Sequence, residues 1–275
     1  MPPLWSRAGD RAAAAQPAGQ SVPERPAGPP SEAPVGSRRV AAGFFDRFPE
    51  FYDTSETSSF PWRLNLRHDA IFAEHADLFS GARVLDIASH DGRWSMAALD
   101  AGAAFVLGVE ARPELVDRAD ATLRRYGVDE ARFRFVAGDV FEVLAHEEPQ
   151  VDVVLCLGFL YHTLRHNELF TRIRRTGATH LLLDTEIHRG AEPVVRLADE
   201  HVARQGNAVA DAFSYGDTVL TGRPTLAALD LLARTQGFDV ERLSDWDGLL
   251  RDNPEADQVR DYRIGRRATL RLRRA

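Results

Sequence analysis

The sequence predicts a doubly wound α/β domain with a mostly parallel sheet, and three observations carry that expectation. From Arg83 onward, short runs that are apolar on both faces alternate with helical stretches, the pattern of strands covered by helices on each side. Gly102, Gly127 and Gly177 stand where such helices end. Pro113 stands where one begins.

The elements follow in order. Phe44, Phe45, Phe48, Phe51 and Tyr52 make an aromatic-rich opening segment. Asp69–Phe79 is expected as an amphipathic helix with Ile71, Phe72, Leu78 and Phe79 facing the core. Strands are expected at Val84–Ala88, Phe105–Glu110, Arg132–Ala137, Val151–Leu157 and His180–Asp184. Helices are expected between them at Arg93–Ala101, Pro113–Tyr126, Val140–Glu147 and Asn167–Arg175. A further helix, Leu226–Gln236, is entered at Pro224-Thr225, and strands Asp239–Leu243 and Thr269–Leu272 pair as an antiparallel edge.

Composition narrows the chemistry. The chain has 275 residues, 44% of them hydrophobic, enough for a real core. No stretch approaches the ~18 apolar residues of a membrane span. Residues 1–40 hold 8 Pro, 8 Ala and 4 Gly and are expected to form a disordered tail, which leaves 41–275 as one domain. Ala12–Ala15 is too short for the core of a signal peptide, so the cytoplasm is the default compartment. The lone Cys156, within an apolar strand, excludes an intramolecular disulfide and a thiolate-rich zinc site. All 34 basic side chains are arginine, which rules out Schiff-base lysines and the P-loop lysine. A net charge of -7 argues against a general coat for nucleic acid.

The ends of the strands carry the candidate site, because ligands of such sheets bind beyond the carboxyl ends of central strands. The first strand runs through Asp86-Ile87-Ala88-Ser89-His90-Asp91-Gly92 straight into a helix. Glu110 follows 24 residues after Asp86, where an acid can accept from both hydroxyls of a ribose. Asp139, ending the third strand, is placed to accept from an adenine amino group. Asp86 has a second reading as a cap of the next helix.

Asp86–Gly92, Glu110 and Asp139 together resemble the cofactor site of class I S-adenosylmethionine (SAM)-dependent methyltransferases, over roughly Gly81 to Ile187. Ala88 and His90 stand where that family's first two glycines belong, and Gly92 keeps the third. Histidine tolerates the left-handed region better than most residues. SAM carries no phosphate, so loss of glycines weakens a dinucleotide reading more than this one. The resemblance implies a seven-stranded, Rossmann-like sheet whose last strand is reversed, with 41–80 as a helical N-terminal cap. It also implies that residues 188–224, with a helical centre Val194–Arg204, form a lid over the acceptor, lined by Trp62, Phe213 and Tyr215. The run Leu157-Gly158-Phe159-Leu160-Tyr161-His162 is similar to a subset that includes the tRNA wobble-uridine carboxymethyl transferases, as is Trp62-Arg63.

The expected cofactor residues are Trp62, Asp86, Ala88, Ser89, His90, Gly92, Trp94, Glu110, Ala111, Asp139, Val140, Leu157 and Gly158. His162 is the candidate base, with Tyr161 beside it as a catalytic or pocket-wall residue. Asp184, Glu186 and His188 alternate from the end of the fifth strand, would share one face if it continued, and are candidate ligands for a divalent metal such as Mg2+ that would orient a sugar diol. The expected activity is O-methylation of a small molecule or sugar. The alternatives are a tRNA-modifying transferase and a non-catalytic SAM-fold binding protein. Oligomeric state is left open, a homodimer included.

Overall fold

Strand formation follows the apolar runs closely. In this computed structural model, which describes residues 43–54, 61–204, 206–254 and 259–275, the strands are β1 (Arg83–Ile87), β2 (Phe105–Glu110), β3 (Phe133–Ala137), β4 (Val153–Leu157), β5 (His180–Glu186), β6 (Val195–His201), β7 (Thr218–Pro224), β8 (Phe238–Leu243) and β9 (Arg267–Arg274). The described residues build a seven-stranded sheet in the order β3-β2-β1-β4-β5-β9-β8 and a separate two-stranded sheet of β6 and β7. The first five strands of the large sheet are parallel. β9 enters antiparallel between β5 and β8, so the reversed strand is present.

The α-helices are α1 (Glu50–Asp53), α2 (Pro61–Ile71), α3 (Arg93–Asp100), α4 (Pro113–Arg125), α5 (Val140–Glu147), α6 (His166–Arg175), α7 (Leu226–Thr235), α8 (Trp246–Asp252) and α9 (Arg260–Arg263). Local chemistry sets their ends. Pro113 opens α4, Glu114 lies in its first turn and Arg124 and Arg125 in its last, each matching the helix dipole. Asp139 caps α5 through the Phe141 N–H, and Thr225 caps α7 through the Ala228 N–H.

The pleat sends alternate residues of each strand to two apolar layers. Leu85 and Ile87 of β1 pack with α5, α6 and α7, whereas Val84 packs with α3, α4 and the aromatic opening segment. Phe45, Phe51, Phe72 and Phe79 are fully buried there. Cys156 is buried in the first layer, and burial pushes its thiol up to about 12, so it is an inert core residue.

Two expectations are corrected, and one feature is new. The segment expected as helix Val194–Arg204 is strand β6, because its Val-x-Leu alternation pairs with β7, from Val195 against Pro224 to His201 against Thr218. The segment expected as helix Asp69–Phe79 is the end of α2 followed by a 3-10 turn, Ala73–Leu78, kinked at His75 with φ -128° and ψ 26°. α8 and α9, which the sequence does not announce, pack Trp246, Leu250, Val259 and Tyr262 against Leu66 and Ala70 of α2. The expectation for residues 1–40 lies outside the described residues. No helix among the described residues is long and apolar enough to cross a membrane.

Candidate active site

A cavity of about 590 Å³ opens beyond the carboxyl ends of β1, β2, β3 and β4. Its volume lies in the range of about 300–1,000 Å³ that holds small ligands. The turn after β1 forms one side. Ala88 and His90 both take φ 54° and Gly92 takes φ 80°, so the chain makes its tight turn with two residues that carry a Cβ. The left-handed Gly92 also caps α3. A Cβ there would come within 3.0 Å of Ala119 and Phe135, so glycine is kept where space and conformation both require it.

Glu110 lies at the end of β2 on the opposite side of that turn and is buried. Its Oε2 accepts the His90 N–H at 3.1 Å and its Oε1 the Arg112 N–H at 3.0 Å. An ionised carboxylate has about four lone-pair positions, so two remain for a ligand. Asp139 spends one oxygen on the Phe141 N–H at 2.7 Å and keeps the other beside Arg165, 3.8 Å away. Ala88, His90, Trp94, Glu110, Ala111, Asp139, Val140, Leu157 and Gly158 all line the cavity. Trp62, Asp86, Ser89 and Gly92 do not. Asp86 instead accepts from the Ser95 hydroxyl at 2.7 Å, tying β1 to α3. Burial pushes its carboxyl up to about 7, a rise reinforced by Glu110 and Asp91 and opposed by Ser95.

Beneath the turn, Asp91 receives Arg93 at 2.7 Å and the hydroxyl of Thr54. Burial raises the Asp91 carboxyl, but Arg93 and His90 outweigh it and hold it well below the usual range. Arg93 and Thr54 also line the cavity, and neither was foreseen from sequence.

After β4 the chain passes Gly158, at φ 112°, into a 3-10 turn that presents Tyr161 and His162 to the same cavity. The Tyr161 and His162 rings lie 4.1 Å apart. Guanidiniums of Arg267 and Arg223 stand 5.3 and 5.7 Å from the Tyr161 ring centroid. His162 Nδ1 meets Oε2 of Glu200 at 2.7 Å. Glu200 comes from β6 and gave no sequence signal, because its segment was expected to be helical. Residues 202–204 and 206–209, which follow β6, line the cavity, and the Asn207 carbonyl accepts from Arg112 at 2.8 Å.

The candidate metal ligands do not assemble. Asp184 is completely buried, and its oxygens accept from Arg267 at 2.7 Å, Arg67 at 3.0 Å, and Tyr262 and Thr269 at 2.7 Å each. Burial raises its carboxyl, yet the two arginines hold it far below the carboxylate range. All its lone pairs are taken, and a cation would have to displace two guanidiniums. Glu186 is paired with Arg223 at 2.6 Å. Among the described residues no cluster of three His, Cys, Asp or Glu could hold a metal. Phe213 and Tyr215 are also not cavity residues: they are 74% and 93% exposed.

Residues 84–178 match the family model described as "Methyltransferase domain". Over those residues the chain is similar to a methyltransferase domain. It is 28% identical over 215 residues to a tRNA U34 carboxymethyltransferase of Idiomarina loihiensis, a match covering 74% of this chain. The chain spans 62% of the length of that curated relative. Among solved structures, the N-terminal domain of EvdMO1, determined in the presence of SAH and D-fucose, aligns at 19% identity with a TM-score of 0.53, covering 76% of this chain and 81% of that one. A SAM-dependent methyltransferase of Mesorhizobium loti aligns at 16% identity with a TM-score of 0.52, over 76% of this chain and all of that one. These likenesses establish the Rossmann-like methyltransferase fold of the domain.

Proposed function

We propose that the protein methylates a hydroxyl of a small molecule or sugar, with SAM in this cavity and His162 as the base. The observation that carries the reading is one cavity lined both by Glu110, with two free lone-pair positions, and by the imidazole of His162. The donor set fits the cofactor. Glu110 would accept from the ribose diol, Asp139 from the adenine amino group, and Trp94, Val140 and Leu157 would give apolar walls. SAM, when bound, supplies an electrophilic methyl group on a sulfonium.

The chain's own task is then positional. Holding an acceptor oxygen in line contributes up to about 7–11 kcal/mol of barrier lowering. Removal of its proton by His162 adds roughly 10²–10⁴-fold. Residues 202–204 and 206–209 are read as part of a lid that keeps water from the acceptor, and the net charge of -7 favours a neutral or small acceptor over a polyanion.

Calorimetric titration with S-adenosylhomocysteine (SAH), on the protein and on Glu110→Ala, tests the cofactor half. Micromolar binding that weakens on substitution supports it, and a folded protein that does not bind SAH refutes it. Sugars head the acceptor screen that follows. A second reading, modification of tRNA, is favoured by the 28% identical relative. It requires tRNA binding that weakens steeply between 50 and 200 mM salt, by about 10³-fold for a handful of phosphate contacts.

A further inference from the structure

Glu200 is an acid that the β6–β7 hairpin brings to the candidate base, and it is 9% exposed. Three groups converge on its carboxylate. Oε2 takes His162 Nδ1 at 2.7 Å and the Ala208 N–H at 2.9 Å, while Oε1 faces Arg223 at 3.5 Å. The Ala208 amide can only donate, so Oε2 is an acceptor. Burial raises the Glu200 carboxyl, but hydrogen bonding and charge from His162, with Ala208 and Arg223, bring it below its ordinary value, so the acid is ionised near neutral pH. An ionised carboxylate has no proton to give. Nδ1 of His162 must therefore carry the hydrogen of this contact, and in the neutral ring Nε2 is left bare.

We infer that Glu200 is a positioning residue, which holds His162 in the tautomer whose unprotonated Nε2 is the nitrogen free to take a proton in the cavity. The inference rests on the reading of His162 as the base. When an acceptor O–H gives its proton to Nε2, the ring becomes an imidazolium with hydrogen on both nitrogens. The positive charge then lies against the Glu200 carboxylate, while the oxygen keeps the electron pair that attacks. The same Oε2 fixes Ala208 in the loop that lines the cavity, so one oxygen orders both the base and the loop over it.

The test is a long-range proton–nitrogen correlation spectrum of the full chain, labelled with ¹⁵N-histidine, at a pH where the rings are neutral. His162→Gln assigns the resonance by its loss. The expected result is Nδ1–H over Nε2–H by about tenfold or more, the worth of one charge-assisted hydrogen bond. Glu200→Ala should move His162 to the Nε2–H form, and Glu200→Gln, which keeps an amide oxygen as acceptor, should restore most of the Nδ1–H form. A wild-type ring protonated on Nε2 overturns the inference, as does a Nδ1–H form that persists in Glu200→Ala. If the alanine variant does not fold, the wild-type and glutamine spectra still decide. Titration of each protein with SAH runs alongside: absent binding in all of them counts against SAM in the cavity, whereas the tautomer reports on Glu200 alone.

Discussion

Glu110 on β2 and Asp184 on β5 are both buried acids near the carboxyl edge of the parallel part of one sheet, and a reading of strand ends treats them alike. Their partners separate them. Glu110 accepts two backbone amides and keeps lone pairs toward a cavity. Asp184 is saturated by two guanidiniums and two hydroxyls and ties β5 to β9, α2 and α9. An acid at a strand end is thus a site only where its donors leave capacity unused. Where arginines fill it, the same group is a structural joint.

The comparison can be broken by substitution, beginning with the largest effect. Asp184→Ala leaves the buried Arg267 and the half-buried Arg67 without their shared carboxylate and should cost about 3–5 kcal/mol in chemical denaturation. A loss below about 1 kcal/mol would mean that the joint is not what holds β9. Asp86, buried with only Ser95 as side-chain partner, sharpens the contrast through pH. Its carboxyl stands near 7 in the fold against an ordinary 3.8, so the folded state binds the extra proton between those values. Its contribution is fully present below about pH 4 and is lost as pH rises through 7, on the order of 4 kcal/mol in all. Asp86→Asn should remove that slope, read as the difference between the two stability-versus-pH curves, and identical curves would refute the raised carboxyl.

Glu110→Ala should leave the fold stable and weaken SAH roughly 10²-fold, the worth of one or two hydrogen bonds to a charged group. Equal affinity in calorimetry would show that the unused lone pairs of Glu110 do not meet the cofactor. The smallest effect is expected at Tyr215→Ala, a residue 93% exposed: stability within about 0.5 kcal/mol and unchanged SAH affinity. A clear loss of affinity would return Tyr215 to the cavity wall where its sequence position first put it.

The residues that proved legible are those whose neighbours in sequence are also their neighbours in space. Ala88, His90 and Glu110 belong to a strand–turn–helix unit and the adjoining strand, and their place at the cavity follows from the apolar runs before them. Glu200 was invisible for the opposite reason. Val195–His201 is a strand only because Thr218–Pro224 pairs with it, and a short mixed segment has no periodicity strong enough to choose alone. Asp184 was correctly placed on its strand, but its arginine partners lie 117 and 83 residues away.

The sequence by itself determined the alternating strands and helices, their caps and the row of strand ends, because these depend on side-chain period, φ preference and hydrogen bonding within a few residues. Only the tertiary structure decided which acids are spent and which are available, and which nitrogen of His162 meets Glu200. A buried polar group takes its role from whichever donors the fold brings within about 3 Å, and those donors come from anywhere in the chain.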